Sequence, residues 1–234
     1  LRVNLCDLQK SQLEVFFNQE LRNNKGKTRN HYRQTFRQLF KFAVRRDYLS
    51  ENHRLNEVLV NESPEEAAPQ ILSPAQFERL LASASREILP YIAISGLTGA
   101  RRSEVLRLTW EDVWRVKGFI ELEAAKTKTK QRRLVPICRS LSKWLKSYRG
   151  SAGAVWKPSN GSFHSQLQRL MLVCAIKGQN LLRHSYASYR LAQTQDPAKV
   201  AVEMGNSPEK LYRNYNKLRT PQQASEWFSI KPLV

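Results

Sequence analysis

Apolar positions recur at helical spacing over most of the 234-residue chain, and the breaks between them fall at glycine, proline and short polar runs. Leu8, Leu13, Phe16, Phe17 and Leu21 predict a first helix running to about Leu21, with Asp7 as its cap. Lys25-Gly26-Lys27 reads as a basic turn. Thr28 then reads as the cap of a second helix, His31 to about Arg46, with Tyr32, Phe36, Leu39, Phe40 and Ala43 as its inner stripe. Asn61 to Pro69 is polar and acidic and carries two prolines, the composition of a linker. The chain therefore divides into a helical domain over 1–60, a linker over 61–72 and a second domain over 73–234. Ser73-Pro74-Ala75-Gln76 opens the latter: a capping serine, proline at the first helical position and glutamine three residues after the serine.

The second domain mixes two periods. Leu89 to Leu97 is apolar enough to be a buried helix, which Thr98-Gly99 breaks, because glycine accepts the backbone angles of a tight turn. An amphipathic helix follows, with Val105, Leu106 and Leu108 to bury. Val113–Val116, a Lys117-Gly118 turn and Phe119–Glu123 read as a β-hairpin, and Leu134–Ile137 as a third short strand that Pro136 ends or confines to an edge. Helical spacing returns over 139–149, 163–177, 181–193, 197–204, 208–215 and 221–228. The expected fold class is mainly α with one small antiparallel β-sheet (α+β).

Charge narrows the partner. The net charge is +19 and the pI about 10.2, so a polyanion is sought, with nucleic acid first. A membrane surface is the rival, but no apolar run approaches the roughly 20 residues of a span, and no signal-peptide pattern is present. Cys6, Cys138 and Cys174 lack the spacing of a zinc site and suit reduced thiols in a cytoplasmic protein. The first residue is Leu1, not methionine, which reads as a piece of a longer chain. Arg29, Arg33, Arg37 and Lys41 recur every fourth residue on the second helix, with few acids between them. With Lys25 and Lys27 they form either a solvated face or a phosphate-contacting one. Lys126, Lys128, Lys130, Arg132 and Arg133 form a second basic cluster, at the tip before the third strand.

Three stretches carry chemistry. Arg101 stands at the mouth of a helix–turn–helix with Glu104 one turn on; its forked donors suit a phosphate, or a structural pair with that glutamate. Asn180-Leu-Leu-Arg183-His184-Ser-Tyr-Ala-Ser opens a helix that buries Leu181, Leu182, Tyr186 and Tyr189, leaving Arg183 near its start. Met204-Gly205-Asn206-Ser207-Pro208 restarts a helix near whose end lies Tyr215. Taken alone, a tyrosine there is more often core or surface than nucleophile.

Taken in order, the motifs G-x-T-G-x-R-x-S-E from Gly96, K-T before Val135-Pro136, L-R-H-S-x-A from Leu182 and G-N-S…Y from Gly205 resemble the tyrosine recombinase (phage integrase) family. Tyr215 follows Asn206 by nine residues and Arg183 by thirty-two, spacings similar to that family's. The resemblance covers the whole second domain, and the amino-terminal helices resemble part of the family's core-binding domain. It implies a two-domain clamp on duplex DNA and a site-specific recombinase that works as a homo-tetramer on DNA, with a monomer as the alternative state when free. It also implies cleavage by Tyr215, giving a 3′-phosphotyrosyl link and a free 5′-hydroxyl without metal, ATP or other cofactor. Arg101 and Arg183 would hold the phosphate oxygens, and Lys128, with Thr129 after it, would protonate the leaving oxygen; Lys126 is the second choice. Two departures stand out. Asn180 occupies a position that is histidine in the family, and Asn206 one that is histidine or tryptophan; asparagine can bond a phosphate oxygen but cannot act as a base. His184, about 100° around a helix from Arg183, reads as structural. Pro221 to Phe228, with Trp227 and Phe228 read as exposed, is the candidate for a helix passed between protomers; the alternative is that it packs on its own domain. A catalytically silent DNA-binding relative and a type IB topoisomerase-like relaxing enzyme are the rival functions. The implied location is the cytoplasm, at a prokaryotic nucleoid.

Overall fold

The computed structural model of the chain describes residues 4–63, 69–123, 132–157, 163–215 and 219–232. Two compact units divide it, Leu1–Ala67 and Ala68–Val234.

In the first unit, α1 (Lys10–Val15) runs into a wider π turn over Phe16–Glu20, and α2 spans Gly26–Arg45. Leu13, Phe17, Leu21, Phe40, Leu55 and Leu59 form the core, with Phe16, Phe17 and Phe36 meeting edge to face. Both expected caps are corrected. Asp7 lies in a separate short turn, and Gln9 caps α1 through a reciprocal pair of bonds with Gln12. Helix α2 starts five residues before His31, at Gly26, so Thr28 is inside it. The basic turn is thus the first turn of the helix.

The second unit is built around α4 (Leu89–Thr98), buried from Pro90 to its last residue, as a helix apolar on all sides must be. Helix α3 (Pro74–Ala82) has the expected capping box, Ser73 Oγ with the Gln76 amide and Gln76 Oε1 with the Ser73 amide. After Gly99 come α5 (Arg102–Val105) and α6 (Trp110–Trp114). Residues 113 and 114 are therefore helical, which overturns the expected strand over Val113–Val116. Thr109 caps α6 reciprocally with Asp112, and Trp110 and Val113 face the core, so local capping and burial outweigh β-propensity. The sheet has two described strands, β1 (Phe119–Leu122) and β2 (Arg133–Pro136), antiparallel with Ile120 opposite Val135 and Phe119 opposite Pro136. Pro136 ends β2, as expected.

Among the described residues six α-helices follow: α7 (Arg139–Trp144), α8 (Phe163–Val173), α9 (Leu181–Thr194), α10 (Pro197–Met204), α11 (Pro208–Tyr215) and α12 (Pro221–Ser229). Helix α8 stops four residues short of the expected end, and α7 gives way to a short turn over Lys146–Tyr148. Helix α12 packs on its own unit. Trp227, read from sequence as exposed, is fully buried, stacked between Phe77 at 4.1 Å and Tyr189 at 4.5 Å, and its indole N–H donates to the Gly96 carbonyl. A Cβ on Gly96 would lie 2.4 Å from the Phe77 ring, so glycine there is what lets this stack seat against α4. Phe228 packs edge-on to Tyr186.

Candidate active site

Two helix ends build the site. Helix α4 is capped by Gly99 (φ 65°) and α10 by Gly205 (φ 62°), both in the left-handed conformation that glycine adopts without strain. A Cβ at Gly99 would also lie 2.3 Å from the Tyr186 ring, and one at Gly205 would displace Arg133 Nη1, 2.9 Å away. Helix ends leave carbonyls without partners and carry partial negative charge. Arginines take up these carbonyls. Arg183, in the first turn of α9, donates from Nη1 to Gly99 O at 2.5 Å and from Nη2 to Met204 O at 3.0 Å. Arg101, just before α5, donates from Nη2 to Gly205 O. Thr98-Gly99 and Met204-Gly205, distant in sequence, thereby fix one arginine pair.

The charge balance at this point is lopsided. Glu104 is fully buried and accepts from the Arg101 amide (2.7 Å), Arg101 Nη1 (2.9 Å) and Arg133 Nη2 (2.6 Å). Burial opposes its ionisation, but Arg133 and Arg101 override that and hold its carboxyl below the ordinary range. Among the described residues Arg183 donates to two neutral carbonyls and to no carboxylate. Burial, with Arg101 adding to it, lowers its pKa to about 10, so it stays charged at neutral pH without a carboxylate bonded to it.

Tyr215, the last residue of α11, is buried beside this pair, and its hydroxyl lies 2.5 Å from His184 Nδ1. Burial raises the Tyr215 pKa, with Arg183 opposing, and burial also lowers that of His184, with Arg183 reinforcing. At neutral pH the phenol is thus protonated and the imidazole neutral, and the imidazole tautomer sets which of the two donates. His184, read from sequence as structural, is thus in direct contact with Tyr215. It does diverge from Arg183 around α9, but Tyr215 arrives from a different helix and meets it on its own side.

The remaining expected residues scatter. Asn180 is exposed, in left-handed geometry (φ 54°) immediately before α9, and Asn206 is half-buried after Gly205. Among the described residues neither side chain bonds Arg101, Arg183 or Tyr215. Lys126, Lys128, Thr129 and Lys130 lie outside the described residues. Arg132 is exposed and paired with Glu121. Arg133, expected at a solvent-facing tip, is buried on Glu104 and on Glu203 O at 3.1 Å. The two-residue period of β2 carries that signal: Val135 faces inward, so Arg133 must as well. Glu203, bonded by Tyr186 Oη at 2.7 Å and by Arg190 Nη2 at 2.6 Å, anchors α10 and was not legible in sequence.

On α2 the stripe is drawn inward. Arg33 pairs with Glu62 at 2.8 Å, Arg29 with the same carboxylate at 3.1 Å, and Arg37 bonds Leu59 O and Asn61. Lys25, Lys27 and Lys41 remain exposed.

The profile of the Phage integrase family matches residues 70–220, most of the chain and all of the motifs above. The chain belongs to that family. Site-specific recombination, by breaking and rejoining DNA strands, comes with the membership. Among solved structures, this phage integrase family member is similar to the XerH site-specific recombinase bound to palindromic difH substrate in a post-cleavage complex. The TM-score is 0.71 and the identity 20%, over 95% of this chain and 73% of that one. A lambda integrase dimer bound to a COC′ core site gives a TM-score of 0.73 at 15% identity, covering 93% and 83%. The Tn1549 transposon integrase with circular intermediate DNA gives 0.69 at 16%, covering 95% and 85%. At these identities the likeness establishes the fold. A search of curated protein sequences finds no significant match. No described helix is long and apolar enough to cross a membrane.

Proposed function

We propose that this integrase cuts a DNA strand with Tyr215, holds it as a 3′-phosphotyrosyl ester and passes it to the 5′-hydroxyl of a partner strand. One observation carries the reading: a half-buried arginine tethered by carbonyls alone stands beside a buried tyrosine whose hydroxyl is already engaged by an imidazole. Carbonyl tethers fix a guanidinium without neutralising it, so Arg183 keeps its charge for an anion. Arg101 shares its carboxylate with Arg133 and adds a second fork. Phosphoryl transfer develops negative charge on the non-bridging oxygens, and preorganised donors there stabilise the transition state. The oxygen of Tyr215 attacks phosphorus as the bond to the 5′-oxygen breaks. Lys128 supplies the proton to the leaving oxygen. The reverse attack by a 5′-hydroxyl restores the phosphodiester, so bond energy is conserved. Four protomers on two duplexes would complete a strand exchange, as in the lambda integrase tetramer bound to a Holliday junction, which has a TM-score of 0.71 with this chain.

The test is a nicked duplex that loses its short 5′-hydroxyl fragment once cut, drawn from sequences flanking the gene. Wild type should leave a covalent adduct on a denaturing gel, Tyr215→Phe none, and Tyr212→Phe, at an exposed position on the same helix, an adduct like wild type. Binding without any adduct would favour a silent DNA-binding protein, with Asn180 and Asn206 the first residues to examine. Relaxation of supercoiled plasmid by a monomer without junction formation would favour a topoisomerase.

A further inference from the structure

Cleavage by Tyr215 requires something to take the phenolic proton, and asparagine at 180 and 206 cannot. Among the described residues His184 is the one titratable side chain bonded to that hydroxyl, at 2.5 Å. Its placement follows from helix geometry. Residue 184 is one turn along α9 from Asn180, so the two positions differ by only about 40° around the axis. Side chains on a helix also lean toward its N-terminus, which carries the imidazole back over the first turn, where Arg183 also begins. Tyr215 ends α11 and enters that turn from outside α9.

We infer that His184 is the general base of the cleavage step, its Nδ1 accepting the Tyr215 proton. As the bond from Tyr215 Oη to phosphorus forms and that from phosphorus to the 5′-oxygen breaks, the phenolic proton passes to His184 and the leaving oxygen takes one from Lys128. In the return step each proton moves back. The inference rests on Tyr215 being the nucleophile. Acceptance at Nδ1 requires the tautomer with its proton on Nε2. The resting environment keeps the ring neutral and ready: it is partly buried and next to Arg183. Arg183 disfavours the imidazolium that forms, and the incoming phosphate, bound by that same arginine, offsets the repulsion. The arrangement therefore links proton removal to the presence of the anion, because the base gains strength only when Arg183 is neutralised.

Single-turnover cleavage of the nicked duplex tests this, with wild type, His184→Ala, His184→Gln and Tyr215→Phe compared at equal DNA occupancy. His184→Ala should cleave about 10²-fold or more slowly, with duplex binding near wild type, and added imidazole should raise its rate but not that of Tyr215→Phe. His184→Gln can accept the phenol's hydrogen bond but not its proton. It should melt near wild type and remain slow, which separates base catalysis from packing. A duplex whose leaving 5′-oxygen is replaced by sulfur needs no acid, so it should rescue Lys128→Ala and leave His184→Ala slow. Wild-type rates in His184→Gln, or a slow His184→Ala that imidazole does not help, would overturn the inference while leaving Tyr215 as nucleophile. Absence of a Tyr215-dependent adduct in wild type, on every duplex that it binds, would overturn the underlying reading as well.

Discussion

Two sets of arginines, one on α2 and one around the ends of α4 and α10, look alike in sequence and are used in opposite ways. On α2, Arg33 is only 6% exposed; it pairs with Glu62, bonds Asn30 and lies 4.8 Å over the Phe17 ring. Arg29 shares the same carboxylate, and Arg37 ties down the carbonyl of Leu59. The four-residue period places these side chains along one flank of α2, and the chain returns along that flank at residues 59–62. These arginines thus stitch the unit together, while Lys25, Lys27 and Lys41 stay exposed. In the second unit Glu104 is shared by Arg101 and Arg133, and Arg183 has, among the described residues, carbonyls alone. A period cannot say whether a carboxylate waits inside. On the proposed function, the cation that folding has held but not neutralised is the one that receives the phosphate.

The largest effect should come from removing that cation. Arg183→Gln should slow covalent adduct formation by about 10²–10³-fold. Its folding stability should change by no more than about 1–2 kcal/mol, since relief of a partly buried charge offsets the two carbonyl bonds lost; a thermal melt run beside the cleavage assay would break the comparison if stability collapsed with activity. Next, Glu104→Gln should cost about 3 kcal/mol in urea unfolding, because Arg101 and Arg133 lose their common counter-charge. The wild type should also lose this contribution on acidification. The Glu104 carboxyl is depressed in the folded state, so its stabilisation is complete above the unfolded carboxylate pKa and disappears as pH falls through the folded value. The acid limb of a stability–pH curve should accordingly flatten in Glu104→Gln. Arg33→Met should be smaller, about 2 kcal/mol, since Glu62 is partly exposed and keeps Arg29. At matched DNA occupancy its cleavage rate should stay at the wild-type level, and a loss comparable to that of Arg183→Gln would erase the distinction between the two sets. Smallest of all, Lys27→Ala should leave cleavage intact and reduce the slope of log binding constant against log salt by roughly 1; Arg33→Met should leave that slope alone.

Much of the candidate site was legible because it is punctuated locally. Gly99 and Gly205 end helices, Arg101 and Arg183 stand beside helix starts, and Tyr215 closes a helix whose beginning Ser207-Pro208 announces. The errors fall where a side chain's direction depends on a second element. Arg133 looked like one more cation in a basic tip, although its place beside Val135 on a two-residue period already put it inside. For His184 the angle to Arg183 on the same helix was legible, and the contact with Tyr215 from α11 was not. Trp227 looked exposed because an amphipathic helix does not reveal where its partner lies, and Phe77 and Tyr189, which cover it, come from distant parts of the chain. Val113–Val116 looked like a strand, yet the Thr109–Asp112 cap was there to be read.

The amino-acid order by itself determined the mainly helical class, the second unit's breaks and caps, the strong positive charge and the order of the motifs, since each depends on neighbours within a few residues. Only the tertiary structure decided which cations are neutralised, which carbonyls receive the arginines and which imidazole the tyrosine meets. Those outcomes depend on burial and on charges brought together from α4, α9, α10, α11 and β2, where the loss of water makes one carboxylate, present or missing, decide whether a guanidinium is a structural tie or an anion site.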